Sequence, residues 1–314
     1  MPIIVHFTDP HLSASTPEHP SPRKWRSGTY EQDILDKLSW VRQRAEALKT
    51  EDPETFLWCT GDIVDRPVEP LKTTLALADW VMSLRQKNLT LFLTLGQHDV
   101  KNYRVESVDE CSVGVLSRLR GKPYYEGGMF GWECTSLHVG QSAVLTEKDP
   151  PALSGQLIVG THLDIHPDAF GCVRPRDIHW AGVKLVLCAH IHKGGTPCEH
   201  NGTWFSAPGA LCRLNADEIH RQPQISVIRL SGAGEVQSVE YEDVPSRPAE
   251  EVFDLGAMEY AQESQRERTQ FQRALGEVAG EQGVVGDWRS LLEVARPVAG
   301  DDTVDRTIKY AEEV

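Results

Sequence analysis

Apolar residues follow two periods in the first hundred residues. Three short apolar runs are typical of buried strands: residues 2–8, 55–59 and 89–95. Two longer segments between them, 30–48 and 71–84, repeat apolar positions at helical spacing. Leu71, Leu75, Ala78 and Met82 share one face of the second segment. The alternation of strand and helix predicts parallel strands with helices packed on the sheet.

Shorter apolar runs, separated by turn residues, follow in the rest of the chain. They lie at 128–134, 157–161, 183–189, 203–206, 224–230 and 236–241. Ser231-Gly-Ala-Gly between the last two predicts a hairpin. We therefore expect an α/β fold in which a second, more antiparallel sheet faces the first and helices flank both. The segment 244–250 carries two prolines and is the best candidate for a domain boundary, since helical spacing follows it at 288–295 and 304–311.

Composition excludes several classes of protein. With 314 residues, of which 40% are hydrophobic and 25% charged, the chain is neither disordered, collagen-like nor a coiled coil. It has no apolar run long enough for a membrane span and no signal-peptide pattern at its start. Seven scattered cysteines without a C-x-x-C pair indicate reduced thiols and a cytoplasmic location. The net charge of −14 argues against a broadly basic surface, although bound cations would change the local field.

Five groups of polar residues each follow an apolar run. They are Asp9-Pro-His11, Gly61-Asp62-Ile-Val-Asp65, Gly96-Gln97-His98-Asp99, Gly160-Thr-His162 and His190-Ile-His192. Residues just past the carboxyl ends of strands converge on one crevice, and carboxylates and imidazoles bind hard and borderline divalent metals. Two neighbouring ions need a shared ligand, and a carboxylate can bridge, which makes Asp62 the natural bridge. One such motif means little, but all five in this order predict a two-metal site.

The order D-x-H, G-D-x-x-D, G-x-H-D, G-T-H and H-x-H resembles the calcineurin-like metallophosphoesterase superfamily. Within it, the chain is most similar to the SbcD-type DNA repair nucleases, the nuclease half of the SbcCD and meiotic-recombination nuclease complexes. The likeness covers about residues 1–250. It also rests on Asp9-Pro-His-Leu-Ser, on the segment APGALCR at 207–213 followed by Glu218, and on VPSRPAEEVF at 244–253. It implies two facing sheets flanked by helices, a small capping region and a C-terminal helical arm.

The resemblance also implies roles for single residues. One metal, usually manganese in this family, is held by Asp9, His11 and His192 together with the shared Asp62. The second is held by Asp62, Gln97, His162 and His190. His98 is the catalytic histidine that protonates the leaving oxygen, and Asp99 orients its imidazole. The family usually has asparagine where this chain has Gln97, and the extra methylene group is expected to weaken the second metal site without changing the metal.

The implied function is a manganese-dependent DNA nuclease subunit, acting as exonuclease or endonuclease in DNA repair and recombination in a bacterial, archaeal or phage setting. The resemblance divides the chain into a catalytic domain at 1–205, closing strands and a capping region at 206–250, and a helical arm at 251–314. That arm docks on an SMC-like ATPase of SbcC type. A homodimer is expected, and no membrane contact.

The residues alone leave the substrate open, because the same ligands serve many phosphate esters. Arg23, Lys24 and Arg26, in the loop after the first metal motif, and Arg213 are candidates for contacts with a DNA backbone. One alternative is a small-substrate phosphatase or cyclic-nucleotide phosphodiesterase. Another is a weakly active architectural subunit of an ATPase complex, which Gln97 and the acidic helical tail favour.

Overall fold

The fold is taken from a computed structural model. It describes residues 1–14, 26–120, 134–137, 157–214 and 216–260, together with short stretches between 263 and 308. The chain divides into two compact units, Met1–Val252 and Phe253–Val314. Among the described residues, no helix combines the length and the apolar character that crossing a membrane requires.

Strands and helices alternate in the first half of unit one, and strands dominate its second half. The strands are β1 (Ile3–Phe7), β2 (Thr55–Cys59), β3 (Thr90–Leu93), β4 (Cys134–Leu137), β5 (Ile158–Thr161), β6 (Leu185–Leu187), β7 (Cys198–His200), β8 (Thr203–Ser206), β9 (Gln224–Leu230) and β10 (Val236–Asp243). The helices are α1 (Tyr30–Glu51), α2 (Leu71–Gln86), α3 (Ser112–Arg120) and α4 (Ala249–Val252).

The first sheet has the strand order β10-β9-β1-β2-β3 in the described residues. β1, β2 and β3 are parallel, as the strand–helix alternation predicts. β9 pairs antiparallel with β1, and β10 pairs antiparallel with β9 in the predicted hairpin. β1 and β2 are buried along their whole length, which explains their almost continuous apolar sequences.

The second sheet has the order β4-β5-β6-β8-β7, and it corrects the sequence prediction. β4, β5, β6 and β8 are all parallel, and only β7 is antiparallel to its neighbour. The prediction of a more antiparallel second sheet is wrong because β9 and β10, which were assigned to it, complete the first sheet instead. Apolar spacing shows that a strand is buried, but it does not record which strand it pairs with.

The two sheets face each other across a shared hydrophobic core. Ile4 and Trp58 of the first sheet lie in the same buried cluster as Ile158 and Leu187 of the second. The predicted arrangement of two facing sheets flanked by helices is therefore confirmed. It brings the carboxyl ends of β1, β2, β5 and β6 to the same region of the molecule.

The two long helices differ in how well their sequences predict the buried face. The stripe predicted for α1 is buried from Tyr30 to Leu48. In α2, however, Leu71 and Leu75 are 73% and 51% exposed. Trp80 decides the orientation of α2, because its ring packs edge-on against Phe7 and its Nε1 donates to a backbone oxygen of α1. The first half of the apolar stripe predicted for α2 therefore faces away from the core, whereas Ala78 in its second half is buried.

Candidate metal centre

Four strands deliver six of the seven predicted ligands to one place, and Gln97 follows a fifth strand, β3. Asp9 and His11 follow β1, Asp62 follows β2, His162 follows β5, and the pair His190 and His192 follows β6. Each ligand lies just beyond the carboxyl end of its strand, where the sequence places it. Convergence of strand ends is thus the geometric cause of the cluster.

The backbone at this cluster adopts conformations that ordinary residues avoid. Asp9, His11, Asp62 and His190 have φ values of 48°, 47°, 48° and 72°, which lie in the left-handed region. Residues other than glycine seldom adopt this conformation, and those that do are concentrated at functional sites. These sharp turns lie at four of the predicted ligands, at the ends of β1, β2 and β6.

Two glycines are required by the close packing around Asp62. A Cβ atom on Gly96 would lie 2.1 Å from Oδ1 of Asp62, and one on Gly61 would lie 2.2 Å from Nδ1 of His162. Gly61 also has a φ of +109°, which strains any other residue. The glycines of the G-D-x-x-D and G-x-H-D motifs therefore make room for the ligands beside them.

Asp62 lies between two groups of possible ligands. Its Oδ2 is 3.2 Å from Nε2 of His162 and 3.7 Å from Nε2 of His11. Asp9, His11 and Asp62 can surround one ion, and Asp62, His162 and His190 can surround another, with the ligand atoms of each group within 4.8 Å of one another. Nε2 of His192 lies 3.2 Å from Nε2 of His11, which adds it to the first group. The structure thus brings together the Asp and His members of both predicted sets, with Asp62 common to both.

Several atoms at this cluster are buried and lack a hydrogen-bond partner of good geometry. They are Oδ1 of Asp9, Oδ2 of Asp62, Nε2 of His162 and Nδ1 of His190. A buried polar atom left without a partner costs about 1–3 kcal/mol, so four of them in one place need a common explanation. Carboxylate oxygens and imidazole nitrogens are ligands for divalent cations, and the donor set therefore fits a pair of metal ions.

In each predicted histidine ligand, one ring nitrogen lies beside an oxygen atom of the protein, and the other nitrogen is left for the metal. The pairs are His11 Nδ1 with Asp65 Oδ1 at 3.1 Å, His162 Nδ1 with Thr60 O at 2.8 Å, His190 Nε2 with Asp164 Oδ1 at 3.1 Å, and His192 Nδ1 with Glu218 Oε1 at 3.1 Å. An oxygen that accepts the proton of one ring nitrogen leaves the lone pair of the other free for a metal. Each imidazole is therefore oriented as a ligand.

Asp65, Asp164 and Glu218 are supporting residues that sequence reasoning did not assign. Burial alone would raise the pKa of Glu218, but the hydrogen bond with His192 lowers it to about 2. Burial likewise opposes ionisation of Asp65, yet His11 and Arg26 hold its pKa well below the usual range. Asp65 is the last residue of the G-D-x-x-D motif, and Glu218 follows the segment at 207–213 that resembles the family, so sequence motifs point to both residues. No motif points to Asp164.

The role predicted for Asp99 is wrong. Its carboxylate does not orient the imidazole of His98 but accepts backbone N–H groups from Asp62, Ile63, Val64 and Gly96, at 2.8 to 3.3 Å. Asp99 thus fixes the loop that carries the shared ligand. Consecutive residues in a loop point their side chains in different directions. The position of Asp99 next to His98 in the sequence therefore does not imply contact between the two side chains.

The imidazole of His98 is oriented by the backbone of another motif. Its Nδ1 donates to the backbone oxygen of Asp65 at 2.7 Å, and its own backbone N–H donates to Oδ1 of Asp62 at 2.8 Å. The ring centre lies 4.7 Å from that of His11. His98 therefore stands beside the metal ligands with Nε2 as its remaining functional nitrogen.

Gln97 lies half-buried between Gly96 and His98, both of which contact Asp62. Its assignment as a ligand of the second metal stays a prediction.

Of the four residues predicted to contact DNA, the structure describes Arg26 and Arg213. Arg23 and Lys24 lie outside the described residues. The guanidinium group of Arg26 is buried, donates to Oδ2 of Asp65 at 2.9 Å and stacks over the ring of Tyr30. Arg213 is also buried, and it donates to the backbone oxygens of Ile219 and Arg247. Both arginines are engaged inside the protein, so the described contacts do not support direct binding of DNA by either.

The apparent affinity for metal is expected to rise with pH. Burial would lower the pKa of His162, but the charge of Asp62 outweighs it and raises the pKa to about 10 in the metal-free chain, from 6.5. Below pH 10 a metal must displace this proton, so affinity should rise about tenfold per pH unit. In the metal-free chain the same pair stabilises the fold fully below pH 6.5, and that stabilisation is lost as pH rises through 10.

Calorimetric Mn²⁺ titrations in buffers with different heats of ionisation measure both the affinity and the protons released. An affinity that does not change with pH, together with no proton release, would contradict this assignment of His162.

Comparisons with known proteins agree with the chemistry of the centre. A model of the calcineurin-like phosphoesterase family matches residues 3–194. The DNA double-strand break repair protein Mre11 of Aeropyrum pernix is 24% identical over 271 residues, which are 79% of this chain and 62% of that protein. The chain thus spans less than two thirds of that relative.

Two solved structures share a more distant likeness. A dimetal phosphatase from Danio rerio has a TM-score of 0.47 and 12% identity, over 78% of this chain and 99% of that one. A 5′-nucleotidase precursor from Thermus thermophilus has a TM-score of 0.39 and 14% identity, over 86% of this chain and 60% of that one. The family match covers more than half of the chain and includes the metal-ligand motifs. Members of the calcineurin-like phosphoesterase family use a dinuclear metal site, which the candidate ligand groups fit. The chain therefore belongs to the calcineurin-like phosphoesterase family.

Proposed function

We propose that the chain is the nuclease subunit of an SbcD-type DNA repair complex and hydrolyses phosphodiester bonds with manganese. The observation that carries the proposal is the pair of ligand groups that share Asp62, in a chain 24% identical to a DNA double-strand break repair protein. Asp9, His11, His192 and Asp62 would hold one ion, and Asp62, Gln97, His162 and His190 would hold the other.

The chain's own residues perform three tasks in this chemistry. The ligands would hold two ions, which would lower the pKa of an attacking water and neutralise charge on the phosphoryl oxygens. Asp65 keeps the ring of His11 in place, and Asp99 keeps the loop of Asp62 in place. His98 gives a proton to the leaving oxygen through Nε2, because its Nδ1 is engaged by the backbone of Asp65.

A cavity beside the metal centre supports a substrate larger than a phosphate group. It has a volume of about 730 Å³ and begins at His190 and His192. Lys193 and Arg221 bring positive charge to its wall, and Asp217 and Glu218 bring negative charge. The volume of the cavity, rather than its balanced charge, therefore supports an extended substrate.

A nuclease assay on linear duplex DNA and circular single-stranded DNA, supplemented with Mn²⁺, tests the proposal. We expect cleavage of at least one DNA substrate by the native chain and none by the Asp62→Asn variant, which serves as the matched control for contaminating nucleases. Cleavage of a chromogenic diester without cleavage of DNA would favour a small-substrate phosphodiesterase. A purified chain that binds no metal would favour the architectural subunit.

Partners are also part of the proposal. Val68, Leu71 and Leu75 are more than half exposed at the start of α2, and an exposed apolar cluster of this kind favours contact with a second copy of the chain. We assign the docking of an SMC-like ATPase to residues 253–314, the second compact unit. Six cysteines, all except Cys134, are described as free thiols. We also propose a cytoplasmic location, where thiols stay reduced.

Removal of the second unit is expected to leave the metal chemistry intact. The cut should follow Asp254, because Ser27 and Thr29 bond to the backbone oxygens of Glu251 and Val252 and an earlier cut removes those contacts. We expect a folded fragment that cleaves DNA with Mn²⁺ but no longer copurifies with its ATPase. An insoluble or inactive fragment would place residues 255–314 within the catalytic fold.

A further inference from the structure

Cys212 lies beside the predicted metal ligands of the first group. The chain returns to β1 after β8, and Ala210 forms a parallel bridge with Thr8. The backbone N–H of Cys212 then donates to the backbone oxygen of Asp9 at 3.2 Å. This pairing fixes Cys212 next to a metal-binding strand end, although no motif places it there.

The sulfur of Cys212 forms a donor set with two histidines. One nitrogen of His11, one of His192 and Sγ of Cys212 all lie within 4.8 Å of one another. Cys212 is a free cysteine and is completely buried. Oδ1 of Asp9, which is buried without a hydrogen-bond partner, lies 3.9 Å from Nε2 of both histidines. The unpartnered oxygen is the second sign that a cation belongs at this position.

Two imidazoles, a carboxylate and a thiolate are typical ligands of a tetrahedral zinc ion. Donor atoms around such an ion are about 3.5 Å apart, so any two of the three atoms, now within 4.8 Å, need to approach each other by at most about 1.3 Å. Manganese prefers oxygen and nitrogen donors, whereas Zn²⁺ and Cd²⁺ also favour sulfur. The neighbourhood of Cys212 therefore matters for soft metals and little for manganese.

We propose that Cys212 makes the half of the centre formed by Asp9, His11 and His192 a site for Zn²⁺ or Cd²⁺, which binds there through sulfur and displaces manganese. When the ion binds, the thiol proton passes to solvent and the thiolate takes its place in the donor set. Cys212 thereby determines which metals compete at the centre. The inference rests on the proposed two-metal site but not on the choice of substrate.

Titration of the metal-free, full-length chain with Cd²⁺ tests this directly, because a cadmium–thiolate bond gives a charge-transfer absorption in the ultraviolet. We expect this absorption in the native chain and its loss in Cys212→Ala and in the nearly isosteric Cys212→Ser. Cys188→Ala is the matched control, since Cys188 is equally buried but lies in the hydrophobic core between other strands. That control should keep the absorption at full strength.

Competition titrations give the second readout. We expect Zn²⁺ affinity to fall about tenfold or more in both Cys212 variants, while Mn²⁺ affinity stays within about twofold of the native value. Unchanged Mn²⁺ binding also shows that the variants fold. A cadmium absorption and a Zn²⁺ affinity that survive both substitutions would overturn the proposal.

The same data separate this inference from the proposed function. A chain that shows the Cys212-dependent absorption but cleaves no DNA retains the metal inference and loses the nuclease assignment. A chain that cleaves DNA with Mn²⁺ but shows no Cys212-dependent absorption retains the nuclease assignment and loses the metal inference.

Discussion

The Asp62→Asn variant is expected to lose all hydrolytic activity and to bind neither metal ion tightly. The carboxylate has two separate tasks. Oδ1 accepts the backbone N–H of His98, and Oδ2 faces His11 and His162 in the middle of the centre. Asparagine keeps an oxygen for the first task but places an NH₂ group, which has no lone pair to donate, where both ions need a ligand. Losing the shared ligand therefore weakens both positions together.

The same substitution should leave the metal-free fold intact. Burial opposes ionisation of Asp62, but His162 and His11 hold its pKa well below the usual range, which shows that its charge is compensated by imidazoles. In the variant, the amide NH₂ can donate to Nε2 of His162, since Nδ1 of that ring already donates to Thr60. Far-ultraviolet circular dichroism should thus remain close to that of the native protein, whereas the unfolding temperature of the metal-free chain should fall at neutral pH, because the charge pairing of Asp62 with His162 is lost.

Elemental analysis after dialysis measures the outcome. Asp177→Asn is the matched control, because Asp177 is exposed and pairs only with its neighbour Arg176 among the ion pairs described. It should retain two ions per chain. If Asp62→Asn also retained two ions, Asp62 would not be the bridging ligand.

The ligands were predictable because each lies at the end of a strand whose apolar run is unmistakable. Asp9, Asp62 and His190 lie two or three residues beyond the ends of β1, β2 and β6, and the carboxyl ends of these strands lie in the same region of the two facing sheets. The sequence therefore predicts the cluster without predicting the sheets correctly. The assignment of α1 worked for a similar reason, since one continuous stripe from Tyr30 to Leu48 leaves a single face to bury.

Features that depend on contacts distant in sequence were not predictable. β9 and β10 join β1 rather than the strands that precede them, and Trp80 turns α2 so that Leu71 and Leu75 are exposed. Both outcomes follow from tertiary packing, which overrides local periodicity.

The supporting residues show the same limit. Glu218 reaches His192 across 26 positions, and Asp65 reaches His11 across 54. The basic cluster that contains Arg26 predicts a contact with DNA, yet its guanidinium group is buried and donates to Asp65. A charged residue near a predicted site can equally stabilise that site from behind, and sequence alone does not separate the two roles.

His98→Ala is expected to lower kcat by about 10²–10⁴-fold while both metal ions remain bound, because general acids typically contribute that much. The structure gives His98 two possible roles. Its Nδ1 is committed to the backbone of Asp65, which leaves Nε2 to act on a leaving group, but its ring also groups with His11 and Asp65 as a possible ligand. Metal content separates the roles, since a ligand's loss removes an ion and a general acid's loss does not. His179→Ala, at an exposed position, is the matched control and should change neither rate nor metal content.

The choice of leaving group sharpens the test of His98. Cleavage of DNA expels an alkoxide, which is strongly basic and needs a proton, whereas a nitrophenyl diester expels a stable phenolate that needs little help. The loss in kcat should therefore be large on DNA and at least about tenfold smaller on the nitrophenyl diester. Equal losses on the two substrates with both ions in place would mean that His98 stabilises charge on the phosphoryl group and does not donate the proton.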